Sequence, residues 1–285
     1  MPVALPLADA DVLARRAEIV AALKRMVPGE GVIAAENAMR PYESDGLTAY
    51  RQLPMVVVLP ETTEQVAAVL GFCHAQGIKV VPRGAGTSLS GGALPLGDAV
   101  LLGMAKFNHI RALDFGNRVA VVEPGVTNLA ISQAVEHAGF YYAPDPSSQI
   151  ACTIGGNVAE NSGGVHCLKY GVTTNNVLGC ELALMTGEIV RLGGRHLDSG
   201  GYDLLGVVIG SEGLLGVVTE VTVRILKKPE CARAALIGFV ASEDGGECVA
   251  RIIGAGIIPG GMEMMDRPAI HAVEEFVHAD RKSVV

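Results

Sequence analysis

The sequence predicts an α+β fold on three observations. An opening unit reads strand, helix, strand, and delivers the chain directly into a glycine-rich loop, PRGAGTSLSGG at 82–92. Beyond that loop, strand-like runs follow one another with little helix between them, so the chain is not a regular βαβ series. A second glycine-rich segment, TIGGNVAENSGG at 153–164, follows a rigid PDPSS turn at 144–148. Two such segments make two backbone surfaces, which suits a long ligand such as a dinucleotide better than a lone phosphate.

Residues 8–26 set Val12, Leu13, Ile19, Val20 and Leu23 on one side at helical spacing, and Pro28 supplies a stop. The run 55–59 carries three consecutive valines and predicts a buried strand. Thr62, with Gln65 three residues on, caps a helix through Val66, Val69, Leu70 and Cys73 that stops at Gly77. Residues 78–81 form the strand that enters the first loop. Strands are then predicted at 99–104, 112–115 and 119–122, and a short helix over 128–137 that ends at Gly139. Residues 181–192 read as two strand segments around a Thr186-Gly187 turn, and 217–226 alternates in a half-buried manner. Past Pro229 the pattern predicts a strand at 234–240, a helix at 246–253 and another around 268–278, with a domain boundary near 228–230.

The 285 residues are enough for one large domain, or one domain and part of another, with an ample core. With 49% apolar and 18% charged residues the chain is globular. A net charge of −8 with no Lys/Arg cluster argues against nucleic acid, whose phosphates need clustered cations. Six scattered cysteines without a C-x-x-C pair, and no secretory leader, suit buried thiols in a reducing cytoplasm. The most apolar stretch, 204–218, is interrupted by Ser211, Glu212 and several glycines, so no membrane span is expected.

In the first loop, Gly84, Gly86, Gly91 and Gly92 permit positive φ and let backbone N–H groups approach anionic oxygens, while Thr87, Ser88 and Ser90 add hydroxyls. A Rossmann G-x-G-x-x-G needs glycine where Leu89 stands, and a P-loop needs a G-K-[ST] end, which is absent. Taken alone, the loop could equally be an ordinary surface Ω-loop. In the second segment, Gly155 and Gly156 let backbone lie against a flat ring or diphosphate, and Asn157, Asn161 and Ser162 offer polar contacts from a short turn of helix. The prolines of PDPSS hold Ser147 and Ser148 in a fixed wall.

PRGAGTSLSGG, VEPGV, APDPSSQIACTIGGNVAENSGGVHCLKYG and GSEGLLGVVTEVTV resemble the FAD-binding domain of the vanillyl-alcohol-oxidase and para-cresol-methylhydroxylase superfamily. More narrowly, LPETTEQVAAVL and GIIPGGMEMMDRPAIHAVEEFVHA resemble the FAD-linked subunits of bacterial glycolate oxidases and the related D-lactate dehydrogenases. The resemblance covers about 42–279 and implies flavin held between two α+β subdomains. It divides the chain into a helical lead-in at 1–50, an FAD-binding domain at 51–229 and the beginning of an α+β substrate domain at 230–285. By position it implies that Arg83, Gly84, Ala85, Gly86, Thr87 and Ser88 wrap the diphosphate, chiefly through backbone. Asp145, Ser148, Thr153, Gly155, Gly156, Asn157 and Gly163 then line the flavin, with Glu212 and Val218 toward the adenine. Covalent members attach flavin through a histidine near the first loop; this loop has none, so noncovalent FAD is implied.

The implied chemistry is oxidation of a small D-2-hydroxy acid, glycolate first, by hydride transfer to flavin. It implies partners too, a second flavoprotein and an iron–sulfur subunit, with the complex cytoplasmic or peripheral to the inner membrane. In this family the substrate-activating groups lie mostly in the C-terminal domain. After Ala279 the sequence departs from the family pattern, so this chain is expected to be inactive alone. Two alternatives remain at this point, a D-lactate dehydrogenase without partner subunits and a nonenzymatic flavin-binding or electron-relay subunit. His166, inside GGVHCLKYG, is the one catalytic candidate, weighed against a structural hydrogen-bonding role. The other histidines show no ligand spacing and no metal is assigned; His271 and His278 are merely seven apart on one helix. Met262, Met264 and Met265 read as packing residues.

Overall fold

The computed structural model describes residues 5–196 and 200–278. Residues 280–285, expected from the sequence to depart from the family pattern, lie outside the described residues.

The lead-in is two helices, α1 (Ala10–Ala14) and α2 (Arg16–Met26), rather than the single helix expected over 8–26. The break falls at Arg15, whose backbone turns out of helical geometry (ψ 6°) while its guanidinium donates to Gln76 Oε1 and O at 2.9 and 3.1 Å. Then follow β1 (Val32–Ile33), α3 (Glu36–Met39), β2 (Val56–Val58), α4 (Thr63–Gln76), β3 (Lys79–Arg83) and β4 (Ala99–Gly103). The first sheet runs β1-β2-β4-β3, with β2 and β3 both parallel to β4 and β1 antiparallel at the edge. The unbroken apolar runs of β2 and β4 are fully buried, as strands covered on both faces must be. Helix α4 begins where Thr62 Oγ1 accepts from the Gln65 N–H at 3.3 Å, and it ends at Gly77 in the left-handed conformation (φ +66°). Its Val66, Val69, Leu70 and Cys73 pack with Ile19 and Leu23 of α2 over the sheet. Burial pushes the Cys73 thiol up to about 12, so it stays protonated and acts as a small apolar filler.

The second subdomain comprises β5 (Ile110–Asp114), β6 (Val119–Val122), α5 (Asn128–Glu136), β7 (Phe140–Tyr141), α6 (Ile154–Glu160), α7 (Cys167–Tyr170), β8 (Val177–Ala183), β9 (Ile189–Gly193), α8 (Leu204–Val208), β10 (Val217–Arg224) and β11 (Leu226–Lys227). Its main sheet runs β5-β6-β10-β8-β9 and is antiparallel throughout. The single strand expected over 217–226 is interrupted at Ile225, and β11 leaves to pair with β7. Ile131 and Val135 of α5 and Ile154 and Val158 of α6 seal one face against Ala120, Val122, Val221 and Val223. This is the expected α+β architecture of two subdomains.

Helix α4 also joins the two sheets. Thr63, at its start, donates to Glu181 Oε1 of β8 at 3.0 Å, and Thr219 of β10 donates to the same oxygen at 2.9 Å. The Thr186-Gly187 turn abuts the helix so closely that a Cβ on Gly187 would sit 2.9 Å from the Ala67 carbonyl oxygen.

After Lys228 the chain carries α9 (Ser242–Gly254) and α10 (Arg267–Val277). The strand expected at 234–240 is not formed. Leu236 is 80% and Val240 97% exposed, and no strand pairs with this run among the described residues, so its apolar pattern has no hydrogen-bonding neighbour to order it. Met264 and Met265 are exposed as well, not packed into a core. Among the described residues no helix is long and apolar enough to cross a membrane.

Candidate cofactor site

The first glycine loop leaves the carboxyl end of β3, a parallel strand, which is where open parallel sheets place ligands. The second segment becomes α6, and its first turn is tied to the chain that follows β6. The Ile154 N–H donates to Val126 O at 2.9 Å and the Gly155 N–H to Pro124 O at 2.8 Å. Gly155 is glycine because a Cβ there would sit 2.5 Å from Pro124 Cβ. Helix α6 ends at Asn161 in the left-handed conformation (φ +51°), which turns the chain away along the wall. A third wall comes from 211–218, with Gly213 against Pro82 of β3.

The three walls enclose a cleft of about 350 Å³. Arg83, Gly84, Ala85, Gly86, Thr87 and Ser88 line it on one side, Ser148, Thr153, Gly155, Gly156 and Asn157 on another, and Glu212 and Val218 on the third. The two glycine segments touch, since a Cβ on Gly84 would lie 2.5 Å from Thr153 Oγ1. Asp145 and Gly163 do not line the cleft. Asp145 is engaged by His166, whose Nδ1 lies 2.6 Å from Oδ2 and whose backbone N–H donates to Oδ1 at 3.2 Å. Gly163 lies against Cys167 Sγ and Val172, where a side chain would collide. His166 is likewise outside the lining; it stands at the N-cap position of α7 without a side-chain capping bond, its ring 6.2 Å from that of Tyr170.

Arg83 lines the cleft, yet its guanidinium is turned to the back of the loop, where Nη1 donates to Ser44 O at 2.7 Å and Ala93 O at 3.2 Å. Burial lowers its affinity for a proton, and the nearby Asp45 carboxylate opposes that shift. Sequence reasoning passed over Pro124 and Glu160 as lining residues, although both lie in the VEPGV and AENSGG strings that carried the resemblance, whereas Ser162, expected to offer a polar contact, does line the cleft. Glu160 Oε1 accepts from Ser88 Oγ at 3.0 Å and so joins the two glycine segments across the cleft.

What such a cleft can hold follows from its unmet groups. Thr153 Oγ1 and the Asn157 amide nitrogen are buried and have no partner among the described residues, which is costly unless a ligand answers them. Beside them are glycine N–H groups for anionic oxygens and an apolar wall of Met104, Val158, Val208, Val217 and Val218 for a flat ring. A dinucleotide with both a diphosphate and an aromatic ring fits that donor set. Among the described residues no group of three or more His, Cys, Asp or Glu is placed to hold a metal ion.

Residues 54–193 match the FAD binding domain family, and residues 228–284 match the C-terminal domain of FAD linked oxidases. The chain belongs to the FAD-linked oxidases. FAD is accordingly the cofactor, and the cleft's donors and apolar wall fit it. The chain is 56% identical over 93% of its length to the glycolate oxidase subunit GlcD of Escherichia coli strain K12, covering 53% of that protein. It is 35% identical over 91% of its length to a D-lactate dehydrogenase of Anaerostipes hadrus, covering 55% of it. It thus spans about half the length of these curated relatives. The crystal structure of p-cresol methylhydroxylase with substrate bound superposes with a TM-score of 0.66 over 79% of this chain and 45% of the other at 21% identity, which shows the shared fold.

Proposed function

We propose that this FAD-linked oxidase chain supplies the flavin-holding part of an enzyme that oxidises a small D-2-hydroxy acid, with glycolate as the first substrate. The observation that carries the proposal is the meeting of both glycine segments in one cleft whose buried donors, Thr153 Oγ1 and Asn157 Nδ2, lack protein partners. The likeness to a glycolate oxidase subunit supports glycolate as the substrate. FAD is held noncovalently, since the loop at 82–92 offers no histidine. The residues that hold it are those of the three walls, with the N–H groups of Gly84–Ser88 on the diphosphate and Thr153, Gly155, Gly156 and Asn157 along the flavin.

What FAD supplies when bound is a two-electron acceptor for the hydride leaving the substrate's hydroxyl-bearing carbon. The chain's own contribution is to orient the cofactor and to keep water from its apolar wall. The division into a lead-in at 1–50, an FAD-binding domain at 51–229 and the start of a substrate domain at 230–285 is supported by the two matched families, at 54–193 and 228–284. Electron-accepting partners, a second flavoprotein and an iron–sulfur subunit, are supported by the relative's being a subunit. The assembly would be cytoplasmic or peripheral to the inner membrane.

A second reading, a D-lactate dehydrogenase that works without such subunits, is favoured by the 35% identical relative. Titration of the purified chain with FAD tests the cofactor: a protein that stays colourless and gains no flavin absorbance overturns it. Turnover of glycolate against D-lactate by the full-length gene product, with co-purification of partner subunits from the native host, decides between the two substrates.

A further inference from the structure

The first glycine loop makes few hydrogen bonds of its own. Gly86 and Gly91 sit at φ +70° and +83°, in the left-handed region. Glycine takes these angles without strain but equally takes others, so the loop's shape has to be held by its surroundings. Those surroundings are the lead-in residues 42–46 together with the Arg83 side chain.

Arg83 Nη1 donates to Ser44 O at 2.7 Å and to Ala93 O at 3.2 Å, so one guanidinium ties the lead-in to the far end of the loop. Gly86 curls over that guanidinium so tightly that a Cβ there would collide with Arg83 Nη2. Gly46 presses against the loop's crest, where a Cβ would meet Thr87 O at 2.7 Å and Ser88 O at 2.8 Å. The Tyr42 ring centroid is 6.0 Å from Arg83 Cζ, and the buried Asp45 carboxylate balances the guanidinium charge. Ser44, Asp45 and Gly46 do not line the cleft.

We propose that Arg83 is a positioning residue for cofactor binding: with the strap Tyr42–Gly46 it clamps the glycine loop from behind, so that the loop's N–H groups are aimed at a diphosphate before it arrives. The guanidinium acts through Nη1, which donates to two carbonyls, not as a charge on phosphate. A lysine would keep the charge but lose the planar guanidinium that Gly86 curls over and Tyr42 faces, and so cannot reproduce the clamp. The inference rests on the FAD reading of the cleft.

The test uses Arg83→Lys, Arg83→Met and Gly46→Ala, each titrated with FAD, with ADP as a diphosphate probe, and with riboflavin as a probe that lacks phosphate. Titrations are run well below the unfolding temperature of every variant. Arg83→Lys and Gly46→Ala are expected to weaken FAD and ADP in parallel by about tenfold, the loss that corresponds to one charge-assisted hydrogen bond, while riboflavin changes less than about twofold. General loosening of the fold would weaken all three probes alike and would overturn the proposal. So would an Arg83→Lys variant that matches wild type while Arg83→Met does not, because the guanidinium would then act as a charge. Failure of the wild-type chain to bind FAD would instead sink the cofactor reading itself.

Discussion

The two glycine segments are alike in composition and opposite in physics. In the first loop, Gly86 and Gly91 take positive φ, and glycine is used for backbone freedom. In the second, Gly155 and Gly156 lie in the first turn of α6, where any residue could take the backbone angles, and at Gly155 glycine is used for space against Pro124. The loop is braced from behind by Arg83 and the lead-in, whereas α6 is braced by its own core residues, Ile154 and Val158, both fully buried. One face of the cleft is therefore a shaped loop, and the other is the edge of a packed helix.

Substitutions can break that comparison. The largest effect is expected at Gly155→Ala. In an unobstructed helix this change would stabilise by up to about 1 kcal/mol. Here the Cβ would meet Pro124, and overpacking should cost about 2 kcal/mol or more, read as a lowered denaturant midpoint together with loss of FAD binding. A neutral result would mean that space is not why glycine stands there.

Next is the pair Gly86→Ala and Gly91→Ala. Both incur the left-handed backbone cost of about 1–2 kcal/mol, but only Gly86 also faces the Arg83 guanidinium, while Gly91 has nothing within 4 Å. Gly86→Ala should therefore lose FAD affinity about tenfold more than Gly91→Ala; equal losses in a fluorescence titration would remove Arg83 from the account.

Thr153→Val should separate folding from binding. Replacing a buried hydroxyl that has no protein partner should leave the flavin-free protein as stable as before or about 1 kcal/mol more so, while FAD affinity falls about fivefold to tenfold. A variant that loses stability without losing affinity would show the hydroxyl to be structural. The smallest effect is expected at Ser88→Ala, which removes the part-buried bond to Glu160 across the cleft. Its change in FAD affinity should stay within about threefold, because the bond joins two walls of the cleft to each other and its loss leaves both groups open to water.

Much of the fold was legible along the chain. The helix from Thr62 to Gly77 was readable to its caps because capping and the left-handed glycine stop are local events. The strands at 55–59 and 119–122 announced themselves as unbroken apolar runs. The run at 234–240 has the same pattern and forms no strand, because a strand also needs a neighbour that no local sequence supplies. In the cleft, Gly84, Gly155 and Asn157 were legible from the glycine segments. Pro124 was not, since it is distant in sequence and contributes a wall and a carbonyl that only packing brings to α6.

By itself, then, the sequence determined the α+β class, the order of most elements, the two glycine segments and, through their resemblance, FAD. Each of these rests on short-range chemistry: periodicity, caps, turn residues and contiguous motifs. The tertiary structure decided what depends on residues far apart in the chain. It turned the Arg83 side chain away from the ligand toward Ser44, and it took Asp145 out of the lining to hold His166. It also left Thr153 and Asn157 as buried donors without protein partners. Composition cannot report where a hydrogen bond is missing, because that depends on what the folded chain brings within 3 Å.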